Sequence, residues 1–280
     1  MKTILDEILT DVRVEVAAAK QAVPLAEIRA RLADAPPARD FAEVLGRGGF
    51  GLITEIKRRS PSVGPMREEN VNAAAATYAA SSHVRAVSIL TNRTHFGMGI
   101  EDLARLRATL PQPVLRKDFF IDDYQILEAR AHGSDAILLM ANVLDATQLR
   151  DFHQLALELG MEALFEIHTL DEIAMLPKSA RVVGINSRKF KSTSGFVGST
   201  GSSQKDFSLE MSVFDLVTHL PAGCLRVAES GLTPESIDSV SSKFDAALVG
   251  TSLLRDPRGL AACLADFERA IEAHSHSHGK

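Results

Sequence analysis

The chain has no tryptophan, two tyrosines and two cysteines in 280 residues. With Trp absent and Tyr scarce, broad aromatic stacking surfaces are not expected. Cys224 and Cys263 have no metal-ligand spacing and cannot build a disulfide framework, which suits a reducing cytoplasm. No apolar run reaches about 18 residues, so no transmembrane helix is expected. Positive charge is not in excess: 31 Lys and Arg face 36 Asp and Glu, for a net charge of −5. With a pI near 6.0, no global basic field draws nucleic acid or anionic lipid. The opening MKTILDEILTDVRVEV has acids every few positions and no apolar h-region, so a secretory signal is not expected. No strand-like run is followed by GxGxxG, which leaves a dinucleotide-binding fold without support.

What is present is apolar material for a large core, 45% of the chain. That suits one barrel-type domain or two smaller ones. Ile4, Ile8, Val12 and Val16 recur at steps of four and predict an amphipathic helix over 3–20. The break DAPPAR ends this region, and residues 1–50 read as an extension packed on the main body. From residue 52 strand-like and helix-like runs alternate. LITEI, AVSIL, PVLRK, DAILLM, EALFEI, RVVGIN, CLRVAES and DAALVG are the strands. The helical runs are 68–80, 100–110, 122–132, 145–159, 170–176, 209–220, 234–241 and 257–272. Eight strand–helix units predict an α/β fold with a parallel sheet. Their length fits a closed (β/α)8 TIM barrel, with an open doubly wound sheet as the alternative.

In such a barrel the site gathers at the C-terminal strand ends. There the chain places Glu55, Lys57 and Ser60; Arg116, Lys117 and Asp118; Glu166 and His168; Asn186 and Arg188; Glu229, Ser230 and Gly231; and Gly250, Thr251 and Ser252. Glu55 and Lys57 are two apart and share a strand face. They form either a structural salt bridge or a charged ligand site, and six such ends on one rim favour a catalytic site. AESGL and VGTSLL put Gly and Ser after strands seven and eight, where barrels of this kind often hold a phosphate. The expected partner is therefore a small phosphorylated molecule.

ITEIKRRSPS, LRKDFFIDDYQILEARAHGSDAILLM, EIHTLDE, GINSR, AESGL and GTSLL together resemble the indole-3-glycerol phosphate synthase family of tryptophan biosynthesis. The resemblance runs from the N-terminal helix to the last helix. It implies a carbon–carbon lyase acting on 1-(2-carboxyphenylamino)-1-deoxyribulose 5-phosphate, with no cofactor and no metal. It implies Lys117 as the general acid at the ribulose carbonyl and Glu166 as the acid/base group of dehydration. Lys57, with Asn186 and Arg188, lies near the substrate carboxylate, and Glu55 orients Lys57. Glu229 joins the catalytic set, and Ser60 the substrate-binding set. Ser230, Gly231, Gly250 and Ser252 hold the phosphate. Phe96, Phe119 and Leu138 form the apolar floor, and the extension lies over the barrel mouth.

The chemistry agrees with these roles. An oxyanion forming at an attacked carbonyl needs a proton, and nearby cations with partial burial are expected to lower the Lys117 pKa towards neutrality. Dehydration needs a carboxyl able to exchange protons, and apolar walls press the ring against the carbonyl. A Schiff-base aldolase acting through Lys117, or a non-catalytic phosphosugar sensor, are the competing readings. The chain departs from the family after strand two, where LTNRTHFGMG keeps one Phe. After strand six the Ser/Gly-rich segment 191–205 reads as a lid or a solvated insertion. Residues 274–280 read as a disordered tail. The remaining expectations are a monomer, no nucleic acid or membrane partner, and association with other tryptophan-pathway enzymes left open.

Overall fold

The structure is a computed structural model that describes residues 4–188 and 208–277. Eight parallel strands close on themselves: β1 (Gly51–Ile56), β2 (Val84–Leu90), β3 (Val114–Lys117), β4 (Ala136–Met140), β5 (Glu162–Ile167), β6 (Val182–Asn186), β7 (Leu225–Glu229) and β8 (Ala246–Val249). Each pairs with its sequence neighbour. β8 returns to β1, with Gly51 beside Ala246 and Thr54 beside Val249. The closed order is a (β/α)8 barrel and rules out the open sheet; closure leaves no strand edge unpaired.

The strands read as almost unbroken apolar runs because both faces are covered. One set of side chains, including Ile53, Leu115, Leu138, Leu164, Val182 and Leu248, fills the barrel. The alternate set, including Leu52, Val114, Ile137, Phe165 and Val183, packs under the outer helices.

Three helices precede β1: α1 (Ile4–Ala22), α2 (Leu25–Arg31) and α3 (Phe41–Leu45). The outer layer follows as α4 (Glu68–Ala80), α5 (Arg93–Phe96), α6 (Ile100–Arg107), α7 (Asp123–Ala131), α8 (Ala146–Glu158) and α9 (Leu170–Ile173). It ends with α10 (Ile237–Ser241), α11 (Thr251–Arg255) and α12 (Leu260–Ser277). Side-chain caps start several of them. Asp122 accepts from the Tyr124 amide, and Asp145 and Gln148 make a capping box on α8.

The sixth unit differs from the helix expected over 209–220. It is a 3-10 helix, Met211–His219. Phe214 and Val217 are its buried residues, with Val213, Leu216 and Leu220 partly buried beside them, a spacing that suits either helix type. The expected helix 257–272 starts at Leu260, after a Gly259 turn with φ 102°. The segment 191–205 lies outside the described residues. So do residues 278–280 of the expected tail, and α12 runs as far as Ser277.

The N-terminal region divides between the two ends of the barrel. α1 lies at the mouth, where Ile4, Ile8 and Val12 pack with Phe96, Phe119, Ile121 and Val143. Lys20 pairs with Asp122 at 2.6 Å, and the Tyr124 hydroxyl donates to the Ala19 and Val23 carbonyls. α2 packs beside α7 through Ile28, Tyr124 and Leu127. α3 closes the opposite end, with Phe41, Ala42 and Leu45 buried against the inner core. The fully buried carboxylate of Asp135 ties that end together. It accepts from the amides of Arg39 (2.9 Å) and Val114 (2.8 Å) and from Arg107 Nη2 (3.1 Å).

Candidate active site

A cavity of about 360 Å³ opens at the C-terminal ends of the strands. Fourteen of the fifteen residues proposed from sequence line it: Glu55, Lys57, Ser60, Phe96, Lys117, Phe119, Leu138, Glu166, Asn186, Arg188, Ser230, Gly231, Gly250 and Ser252. Strand alternation decides which rim residues reach it. On β3, Lys117 points in, whereas the buried guanidinium of Arg116 is held on the outer side. It donates to Thr91 Oγ1 (3.0 Å), the Gln125 carbonyl (2.9 Å), Glu128 (2.9 Å) and Asp118 (3.0 Å). Arg116 thus ties β3 to α7, and Lys117 is the β3 cation that lines the cavity.

The Lys117 ammonium faces three carboxylates: Glu55 at 3.7 Å, Glu166 at 3.9 Å and Glu229 at 4.0 Å. Burial alone would lower its pKa, but the three negative charges outweigh burial and raise it above the ordinary lysine value. This corrects the expectation that cations and burial draw Lys117 towards neutrality. Its surroundings are dominated by acids.

Lys57 behaves in the opposite way. Burial holds its pKa below normal, although Glu55 beside it, in direct hydrogen-bond contact, pulls it up. Glu55 is itself held below its usual range. Burial works against ionisation there, and Lys57 and Lys117 together prevail. His168 lies 3.5 Å from both Glu166 and Glu172, and their charges raise its pKa despite burial.

Glu229 is the residue that does not line the cavity. It lies beneath Lys117, 1% exposed, with neither carboxylate oxygen hydrogen-bonded to a donor. Burial, followed by the charge of Glu166, pushes its pKa well above the ordinary carboxyl range.

Two glycines make room for these acids. A Cβ at Gly184 would stand 1.9 Å from Glu229 Oε1, and a Cβ at Gly250 would stand 2.4 Å from Glu55 Oε1. Sequence reading missed Gly184. Its signal is a glycine among the β-branched residues of VVGIN, which marks a close approach.

The apolar wall is formed by Phe96 and Phe119, stacked at 6.5 Å and 24°, with Leu138 buried beside them. The two-residue ribbon Arg59–Ser60 with Gly64–Pro65 carries Ser60 to the rim. Asn186 Oδ1 accepts from the Arg188 amide at 2.9 Å, fixing the two against each other. On the far side Ser230 and Gly231 follow β7 with φ of 70° and 71°. Ser230 is the one non-glycine residue with positive φ among the described residues, a conformation that costs on the order of 1 kcal/mol or more and persists where neighbours fix it. Ser187 Oγ helps by donating to the Ser230 carbonyl at 3.0 Å.

A family model for indole-3-glycerol phosphate synthase matches residues 5–263. An indole-3-glycerol phosphate synthase from Paenarthrobacter aurescens is 38% identical over 263 residues, covering 91% of this chain and 92% of the relative. One from Mycobacteroides abscessus is 38% identical over 268 residues, covering 94% and 93%. Among solved structures, tryptophan synthase subunit alpha from Legionella pneumophila superposes with a TM-score of 0.57 at 12% identity, covering 84% of this chain and 100% of that one. N-(5'-phosphoribosyl)anthranilate isomerase from Pyrococcus furiosus gives 0.53 at 14%, covering 81% and 100%. At those identities the structures attest the barrel alone.

Proposed function

The chain belongs to the indole-3-glycerol phosphate synthase family, and from that membership we propose how its own residues divide the work. The reaction is the conversion of 1-(2-carboxyphenylamino)-1-deoxyribulose 5-phosphate to indole-3-glycerol phosphate, with loss of carbon dioxide and water. The observation that carries the assignment is the Lys117 ammonium, surrounded by three carboxylates inside a cavity with an aromatic wall.

Lys117 donates its proton to the ribulose carbonyl oxygen as the ring carbon bearing the carboxylate bonds to the carbonyl carbon. The bond to the carboxylate then breaks. Carbon dioxide leaves, and the electron pair restores the aromatic ring. Glu166 serves the dehydration as acid and base in turn: a proton that it takes up from solvent passes to the departing hydroxyl, which leaves as water. The Glu166 carboxylate then removes a proton from the carbon next to nitrogen, completing the indole. One proton is consumed overall, and solvent returns it to Lys117.

Lys57, Asn186 and Arg188 orient the carboxylate before it leaves. Burial weakens the hydration of both cations, and Glu55 tempers the grip of Lys57. Ser60 closes the rim. Phe96, Phe119 and Leu138 press the ring towards the carbonyl carbon. Ser230, Gly231, Gly250 and Ser252 receive the phosphate, with close backbone approach at both glycines. Glu229 sits beneath Lys117, where burial and the charge of Glu166 favour its protonated form.

No described helix is long and apolar enough to cross a membrane. We propose the cytoplasm as the enzyme's compartment, supported by two buried free cysteines that suit a reducing environment. The test is indole fluorescence and released carbon dioxide on mixing protein with the carboxyphenylamino substrate. The expected result is one carbon dioxide per indole formed. Tight binding without product would favour a sensor. A borohydride-stable adduct on Lys117 with a plain sugar phosphate would favour an aldolase.

A further inference from the structure

Phe96 reaches the cavity at the end of α5, a helix of four residues. So short a helix has no stability of its own, and its position must be imposed from outside. Two carboxylates of α1 impose it from above. Glu15 Oε1 accepts from the Thr94 hydroxyl at 2.6 Å and the Thr94 amide at 3.3 Å. Glu15 Oε2 accepts from Asn92 Nδ2 at 3.0 Å. One turn earlier, Asp11 Oδ2 meets His95 Nε2 at 2.9 Å. Asp11 and Glu15 are four apart and share one helix face, so a single face of α1 grips Asn92, Thr94 and His95. Asn92 also caps α5 through the His95 amide at 2.8 Å. From the other side the Arg59 guanidinium donates to the Arg93 and Thr94 carbonyls, and the Arg58 amide donates to the Phe96 carbonyl at 3.1 Å.

We infer that Glu15, seconded by Asp11, is a positioning residue for the reaction. By gripping the turn 92–95 it fixes the ring of Phe96 against Phe119, and so sets the aromatic wall that receives the carboxyphenylamino ring. The inference rests on the reading that Phe96 forms that wall. α1 then has a task beyond covering the mouth: it holds one side of the substrate pocket in register, with hydrogen bonds supplied by the residues that distinguish LTNRTHFGMG.

Steady-state kinetics and thermal melting of five proteins test this: wild type, Phe96→Ala, Glu15→Ala, Thr94→Val and the double variant Glu15→Ala/Phe96→Ala. Phe96→Ala is expected to lower kcat/KM by at least roughly tenfold, since small misplacements of a reacting ring are costly. Glu15→Ala is expected to lower it by about tenfold, mostly through KM, and the double variant to be no worse than Phe96→Ala within about twofold, the signature of residues acting through one another. Thr94→Val, an exposed change that leaves α1 intact, reproduces part of the loss and stands in if Glu15→Ala melts at the assay temperature. An unchanged Phe96→Ala overturns the wall reading and this inference with it. A damaged Phe96→Ala beside unchanged Glu15→Ala and Thr94→Val, or fully multiplicative losses in the double variant, overturns the inference alone.

Discussion

At Lys117 the charge of a side chain is set by its company rather than by its depth. Three carboxylates within 4.0 Å raise its pKa despite burial. At Lys57 burial prevails instead and holds the pKa below the ordinary value, although its partner Glu55 pulls it up. The sign of the linkage follows. A raised lysine stays protonated through its ordinary value of 10.5, so Lys117, which we propose as the general acid, remains loaded across neutral and mildly alkaline pH. Glu55→Gln removes the nearest of the three charges from Lys117 and the hydrogen-bonded carboxylate from Lys57. Both lysine pKa values then fall, and the alkaline limb of kcat/KM moves to lower pH. A pH–rate profile checks this, and a limb that stays in place or moves up contradicts it. This inversion was not legible in the sequence. LRKDF shows a lysine beside an arginine, but strand alternation turns Arg116 to the outer side, and the acids come from β1, β5 and β7, distant in the chain.

Among the elements, β6 and α3 show how a fold is shaped around charge. β6 carries Gly184 where a methyl would stand 1.9 Å from the Glu229 carboxylate. Gly184→Ala is expected to displace Glu229, to lower kcat by about tenfold or more, and to cost about 1–3 kcal/mol of stability through overpacking. Adding Glu229→Asp, which shortens the obstructed side chain, should restore most of the stability while activity stays low. Urea unfolding with an activity assay checks both halves. At the other end of the barrel Asp135 binds the segment before α3 to β3. Asp135→Ala strands Arg107 and Arg39 and is expected to cost about 3–5 kcal/mol in urea unfolding. A loss under about 1 kcal/mol would mean that the extension is held by its apolar contacts instead. The strands were legible because both faces demand apolar residues. The sixth helix was legible as a helix but not as a 3-10 helix, because residues three apart share a face in both types, and the α1 grip on α5 escaped because hydrogen bonds across 77 to 84 residues leave no local pattern.

For the molecule as a whole, eight repeated units close a barrel whose two ends have different duties. The α3 end, with Phe41, Leu45 and Asp135, supports stability; the α1 end supports chemistry. The (β/α)8 architecture was legible from alternation alone. The cluster of rim residues was legible from strand ends, and fourteen of fifteen line one cavity. The depth of Glu229 was not, because period-two alternation tells inward from outward but not upper layer from lower. The central claim is that this cavity performs the ring closure with Lys117 as its acid. It is tested most directly by single-turnover indole formation in wild type and Lys117→Ala, with substrate binding measured in parallel. The account predicts product from the wild type and a loss of about 10³-fold in the variant, with affinity for substrate within roughly tenfold. A variant that forms indole within about tenfold of wild type would contradict it and pass the role of acid to another group in the cluster.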